Sequence, residues 1–150
     1  MAQGSAMFKG RTVNVLLVED DEIDAEAIGR AFAKQNFSNP IIRAHDGIEA
    51  LAILRKEQGY RSISHPFLIL LDLNMPRMGG LEFLEVIRND KALKRCIVFV
   101  LTTSDSDNDR VAAYERHIAG YLVKSHAGDD FGGVTRLLDH YWRMVAFPSP

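Results

Sequence analysis

Three carboxylates, a hydroxyl and an ammonium stand at the ends of short apolar runs in this sequence, and together they could act on a phosphoryl group. Glu19-Asp20-Asp21 ends one run, Asp72 a second, Thr102-Thr103-Ser104 a third and Lys124-Ser125 a fourth. If the four runs are parallel neighbours in one sheet, these residues gather at one edge. Glu19, Asp20 and Asp72 would then repel one another, and at least one would be pushed toward protonation without a counter-ion. A hard divalent cation relieves that repulsion. Mg²⁺ takes one or two carboxylates, waters, a carbonyl and a phosphoryl oxygen, and the backbone carbonyl of Asn74, two residues after Asp72, is the neutral candidate. With a metal bound, Asp72 has the chemistry of a nucleophile toward phosphorus. Lys124 and the Thr102 hydroxyl would then bond to the added phosphoryl oxygens.

The elements that must position these groups are legible as hydrophobic pattern. Val13–Val18, Phe67–Leu71 and Cys96–Leu101 are mostly non-alternating and rich in Val, Ile and Leu, the pattern of parallel strands buried on both faces. Ile41–Ala44 and Gly120–Val123 complete a set of five. Helical spacing lies between them, at Ile23, Ala27, Ile28, Ala31 and Phe32, at Leu51, Ile53 and Leu54, at Leu81, Leu84 and Ile87, and at Val111, Ala112 and Tyr114. A fifth helix is expected from Asp129 to about Ala146, with Phe131, Val134, Leu138, Tyr141, Trp142 and Val145 as one stripe. Strand and helix alternate, which predicts a doubly wound α/β domain with right-handed crossovers. Sites in such sheets lie beyond the carboxyl ends of the strands.

Composition sets the frame around this site. The chain has 150 residues, 47% hydrophobic and 25% charged, with a net charge of −2. That is ordinary for one globular domain and gives no basic footprint for nucleic acid. Cys96 is the only cysteine, so neither an intrachain disulfide nor a thiolate metal cage can form. No apolar run reaches the roughly 20 residues needed to span a bilayer and no secretory signal opens the chain, so a cytoplasmic protein without a membrane partner is expected. Residues 1–10 read as a disordered start.

In order and spacing, the chain from about Val13 to Leu138 resembles the receiver domains of two-component response regulators. Leu16-Leu17-Val18-Glu19-Asp20-Asp21 is similar to the family's acidic first loop. Ala44-His45-Asp46-Gly47-Ile48-Glu49-Ala50-Leu51 resembles the segment that opens its second helix. Leu71-Asp72-Leu73-Asn74-Met75-Pro76-Arg77-Met78-Gly79-Gly80 resembles the loop carrying the phospho-acceptor, and Leu101-Thr102-Thr103 and Gly120-Tyr121-Leu122-Val123-Lys124 match the switch and lysine positions.

The resemblance implies a flavodoxin-like fold, five parallel strands in the order 2-1-3-4-5 with five helices. The receiver would occupy residues 11–147, with no output domain. It further implies Asp72 as the phosphorylated residue, and Mg²⁺ bound by Asp20, by Glu19 directly or through water, and by Asp72 and the Asn74 carbonyl. Thr102 and Tyr121 would be a switch pair, Asn74 and Ser104 would tune phosphate lifetime, and the donor would be a sensor histidine kinase. Such a chain catalyses only its own phosphoryl transfer and slow autodephosphorylation; the alternative is a phosphorylation-independent scaffold with the same fold.

One position departs from the family pattern. Ser125 follows Lys124 where the family has proline with a cis peptide, and a cis non-proline bond costs about 2.5–4 kcal/mol. The Lys-Ser step and the ending from Leu138 to Pro148 look like the single-domain regulators paired with phytochrome-type kinases.

Other readings of the same residues fare worse. An Asp-nucleophile phosphohydrolase of the dehalogenase type wants a second carboxylate where Asn74 stands. A flavodoxin-like cofactor binder wants a glycine- and hydroxyl-rich loop where Glu19-Asp20-Asp21 would repel phosphate. Asp21 and Glu22 suit an acidic helix start. The histidines show no paired ligand spacing, and Cys96 suits an apolar filler. Leu137, Met144 and Phe147 widen the apolar face of the last helix, and a face that wide needs a cover. A homodimer through Leu137, Tyr141, Trp142, Met144 and Phe147 is expected.

Overall fold

The computed structural model describes residues 12–128 and 130–150, so the expected disordered start and the expected helix start at Asp129 lie outside the described residues. The strands are β1 (Asn14–Val18), β2 (Ile41–Ala44), β3 (Phe67–Leu71), β4 (Ile97–Thr102) and β5 (Gly120–Val123). The helices are α1 (Glu22–Lys34), α2 (Gly47–Leu54), α3 (Gly80–Arg88), α4 (Asp107–Glu115) and α5 (Gly132–Met144), with one 3₁₀ turn over Lys124–His126. All strand pairs are parallel and run in the order β2-β1-β3-β4-β5, which is the expected fold.

Period-two alternation divides the strands between two cores. Leu16, Val18, Ile69, Leu71, Val98 and Val100 face Leu51, Leu54, Phe83, Leu84, Ile87 and Ala113 of α2, α3 and α4. Val15, Leu17, Leu68, Leu70, Phe99 and Leu101 face Ile28, Phe32, Val134 and Leu138 of α1 and α5. Burial on both faces is why the three central strands read as unbroken apolar runs.

Register then assembles the site edge. Val18 pairs with Ala44 and with Leu71, Leu71 with Val100, and Thr102 with Val123. The residues that follow β1, β3 and β5, and the last residue of β4, therefore share one end of the sheet.

Local chemistry starts the helices. Asp21, Asp46 and Ser106 cap α1, α2 and α4, their side chains accepting from the N–H groups of Asp24, Glu49 and Asp109. α3 begins so close to the β3 loop that a Cβ on Gly80 would lie 2.5 Å from the Asp72 carbonyl oxygen; only glycine allows that approach. The loop between them is tied to α2 in turn. Arg77 Nε donates to Asp46 Oδ2 at 2.6 Å, and Gly47 N–H donates to the Met78 carbonyl at 3.1 Å.

Asp46 therefore both caps a helix and holds the β3–α3 loop. Burial opposes its charge, but the Arg77 hydrogen bond and the backbone donors outweigh it and hold the carboxyl below its usual 3.8. A depressed carboxyl contributes stability above its unfolded pKa and loses it as pH falls through the folded value. Asp46→Ala is expected to lose about 1–2 kcal/mol at neutral pH, mainly through the lost cap. In urea titrations the gap to the parent chain should narrow as pH falls below about 4, because the part of the loss that depends on the Asp46 charge disappears there.

Several expected faces are corrected by the structure. Val111 and Tyr114 are 56% and 49% exposed, and Ala113 is the residue of α4 that is buried; a short helix with four consecutive apolar residues leaves its phase ambiguous. Ile23 is also exposed, at the start of α1. Of the five residues assigned to a partner face, three pack on this chain. Trp142 lies 5.4 Å from Phe37 and 6.2 Å from Phe32, ring centre to ring centre, and Tyr141 lies 4.8 Å from Phe99. Phe147 turns back onto Tyr141 because Val145 is extended and ends the helix. Leu137 and Met144 remain exposed. Phe131, with φ at 60°, separates α5 from the preceding turn, so the helix starts later than its stripe. Among the described residues no helix is long and apolar enough to cross a membrane.

Candidate functional site

The carboxyl edge of the sheet brings Glu19, Asp20 and Asp72 together, with one carboxylate oxygen from each within 4.8 Å of the others. Glu19 and Asp72 are buried, whereas Asp20 is exposed. The backbone fixes them: Glu19 N–H donates to the Ala44 carbonyl and Asp72 N–H to the Val18 carbonyl. Arg43 Nε donates to the Glu19 carbonyl at 2.9 Å.

Lys124 enters from the end of β5. Its Nζ lies 2.8 Å from Glu19 Oε1, 2.7 Å from Asp24 Oδ2 and 3.6 Å from Asp72 Oδ2. Among the described residues the one cis peptide is His65–Pro66. The Lys124–Ser125 bond is therefore trans, and the lysine reaches the acidic cluster even so, from the first position of the 3₁₀ turn.

Thr102 is fully buried at the end of β4, and its Oγ1 accepts from Ser104 N–H at 3.4 Å. The Ser104 hydroxyl donates to Asp109 of α4 at 2.6 Å, while the Ser104 carbonyl accepts from the Tyr121 hydroxyl at 3.0 Å. The Arg110 guanidinium lies 5.9 Å from the centre of the Tyr121 ring. Thr102, Ser104, Tyr121 and α4 thus form one connected chain of contacts. Asn74 is exposed in the β3–α3 loop, where its N–H donates to Asp72 Oδ1 at 3.4 Å.

Asp24, Arg43 and the Asp46–Arg77 pair were not anticipated from sequence. Asp24 had a signal, since it stands three residues after the capping Asp21, on the turn of α1 that faces the site. From sequence alone, Asp21 and Glu22 account for the acidic helix start.

Electrostatically the cluster wants a cation. Burial, reinforced by the charge of Asp72, raises the Glu19 carboxyl to about 7, although the hydrogen bond from Lys124 pulls the other way. Burial works against the Lys124 charge, but Asp24, Glu19 and Asp72 together outweigh it and raise its pKa. Three oxygen donors within reach, two of them buried, suit a hard divalent ion rather than a soft one.

A consequence follows for pH. Between about 4.5 and 7 the metal-free folded chain holds a Glu19 proton that the unfolded chain has lost. Its stability contribution therefore falls as pH rises through that window. A metal competes for the same oxygen, so calorimetry should find Mg²⁺ binding tighter at about pH 8 than at about pH 6, by up to roughly tenfold. Equal affinity at both would show that no Glu19 proton competes with the metal in this range.

A parallel doubly wound sheet with buried acids and a lysine at its carboxyl edge defines a receiver, and the family comparison agrees. The sequence model of the response regulator receiver domain matches residues 15–132, so the chain belongs to that family. It is similar to the response regulator Rcp1 of Synechocystis sp. (strain ATCC 27184 / PCC 6803 / Kazusa), with 36% identity over 136 residues that cover 90% of this chain and 92% of Rcp1. The crystal structure of the phosphorylated cyanobacterial phytochrome response regulator RcpA superposes with a TM-score of 0.82 at 35% identity, covering 93% of this chain and 100% of RcpA. The Mn²⁺-bound form of Rcp1 gives 0.80 at 35% identity, covering 91% and 99%. The chain is thus a receiver-domain response regulator related to phytochrome response regulators.

Proposed function

We propose that Asp72 accepts a phosphoryl group from the phosphohistidine of a sensor histidine kinase, with Mg²⁺ held by Glu19, Asp20, Asp72 and the Asn74 carbonyl. The observation that carries this reading is a buried Asp72 carboxylate beside two further acids, with the Lys124 ammonium 3.6 Å away. One Asp72 oxygen attacks phosphorus as the bond to the imidazole nitrogen breaks, and the electron pair leaves with that nitrogen. When bound, the metal supplies charge neutralisation for the phosphoryl oxygens. Lys124 and the Thr102 hydroxyl donate hydrogen bonds to those oxygens.

The contacts of Ser104 suggest how the event is transmitted. Drawing Thr102 toward the phosphoryl group moves Ser104, two residues on. Ser104 holds both the Tyr121 hydroxyl and Asp109 of α4, so the outer face of α4 and β5 is reshaped. This is a signalling role, with catalysis limited to the chain's own phosphoryl transfer and hydrolysis.

RcpA is a phytochrome response regulator, which supports a phytochrome-type kinase as the donor. We place a homodimer contact on the exposed Leu137 and Met144 of α5, and sedimentation at about 10 μM is expected to show a dimer, which corresponds to a Kd below about 10 μM, roughly −7 kcal/mol or tighter. A monomer there removes this contact from the account. The phosphotransfer reading is tested with an autophosphorylated phytochrome-type kinase. Label should move to this chain with Mg²⁺ and stay on the kinase when the metal is chelated. Equal transfer without metal overturns the metal role.

A further inference from the structure

Asp24 stands beside this site without a place in the chemistry above. It occupies the third position of α1, and its own N–H is held by the capping Asp21 at 3.0 Å. In a capping box the side chain three residues after the cap, Glu or Gln, reaches back to the N–H of the capping residue. Here that N–H is already taken, because Asp21 N–H donates to Glu19 Oε2 at 3.2 Å. The Asp24 side chain turns instead to Lys124, at 2.7 Å.

The three carboxylates around the ammonium are not equivalent. Glu19 and Asp24 are at hydrogen-bonding distance, and Asp72, at 3.6 Å, is not. Glu19 belongs to the acidic cluster that suits a cation. Asp24 is outside that cluster, so it keeps its hold on the lysine when a metal takes Glu19. The trans Lys124–Ser125 peptide brings the lysine in from the 3₁₀ turn, next to the first turn of α1.

We propose that Asp24 is a positioning residue that holds the Lys124 ammonium off Asp72, so that a phosphoryl group on Asp72 must compete with Asp24 for the lysine. The proposal rests on Asp72 being the phosphoryl acceptor. It gives Asp24 two effects. Asp72 keeps its lone pairs free for attack before transfer, and the phosphorylated state is less stable than it would be with an uncommitted lysine.

The test uses beryllofluoride, a phosphoryl stand-in, with Mg²⁺ and the full chain. Its affinity is measured by ¹⁹F NMR for the parent, for Asp24→Asn, for Lys124→Met and for the double variant. Asp24→Asn is expected to bind beryllofluoride about fivefold more tightly or better, the scale of coupling within one ion-pair network. In the Lys124→Met background the same substitution should change affinity by less than about twofold. Lys124→Gln serves as a second background if the Met variant does not fold, and Asp24→Ser as the second substitution.

An unchanged or weakened affinity in Asp24→Asn overturns the proposal. An equal gain with and without the lysine also overturns it, because that is the effect of removing one negative charge near an anion. A parent chain that binds no beryllofluoride overturns the acceptor reading itself and this proposal with it. A parent that binds while Asp24→Asn behaves identically overturns the Asp24 role alone.

Discussion

Lys124→Met is expected to lower the metal-free folding stability by about 3–5 kcal/mol, the range for removing one partner of a buried ion pair. The side chain is only 9% exposed and is the cation nearest to three carboxylates, two of them also nearly buried. Methionine fills the volume of the stem but leaves Glu19, Asp24 and Asp72 to face one another uncompensated. Two conditions should then recover stability. Mg²⁺ restores it in proportion to its binding. Acid does so as well, because burial already raises Glu19 to about 7 and losing the lysine removes the interactions that lower it. The folded variant thus binds more protons than its unfolded chain over a wider range, and its stability rises as pH falls toward about 5. Urea titrations at about pH 8 and pH 5, with and without Mg²⁺, check all three arms. A variant as stable as the parent at pH 8 without metal would show that the lysine does not balance the cluster.

The second large effect is on chemistry. Asp72→Asn is expected to lose phosphoryl labelling by at least roughly a thousandfold, since a carboxamide has no anionic oxygen to attack phosphorus and nucleophile removal carries losses of that order or more. Asparagine keeps the size of the side chain and can still accept from the Asn74 N–H, now 3.4 Å from Asp72 Oδ1. The loop should therefore stay folded, and circular dichroism should match the parent. Labelling that persists at the parent rate would move the acceptor to another residue. Asp20 is the first alternative, because it is the exposed member of the same cluster.

The central part of the fold was legible because its physics is local. β2, β3 and β5 fall on the apolar runs read from sequence, β1 starts one residue later than its run, and β4 is shifted by one residue at both ends. Strands buried on both faces cannot hide their composition. The site followed from them, since the residue after a parallel strand is at the carboxyl edge whatever the helices do. Thr102 turned out to be the last residue of β4 rather than the first beyond it, and its place at that edge is unchanged.

The parts that were not legible depend on rotation and on return of the chain. Ala113 and Val111 are two residues apart on a short helix, and spacing alone does not say which one turns inward. Trp142 looked like part of a free face because the sequence does not say that Phe37, beyond the end of α1, lies under it. Phe147 turns back only because the helix ends at Met144. Asp24 was missed for a related reason. Its partner is 100 residues away, and the trans bond that brings Lys124 to it departs from the pattern of the family.

Where the phosphoryl group goes decides the role of Asp72. After transfer from the kinase in Mg²⁺, borohydride reduction converts an aspartyl phosphate to homoserine, and peptide mass mapping locates it. The expected result is homoserine at position 72 in the parent chain and none in Asp72→Asn. Homoserine at position 20 or 24, or label that resists borohydride and remains in Asp72→Asn, would contradict it.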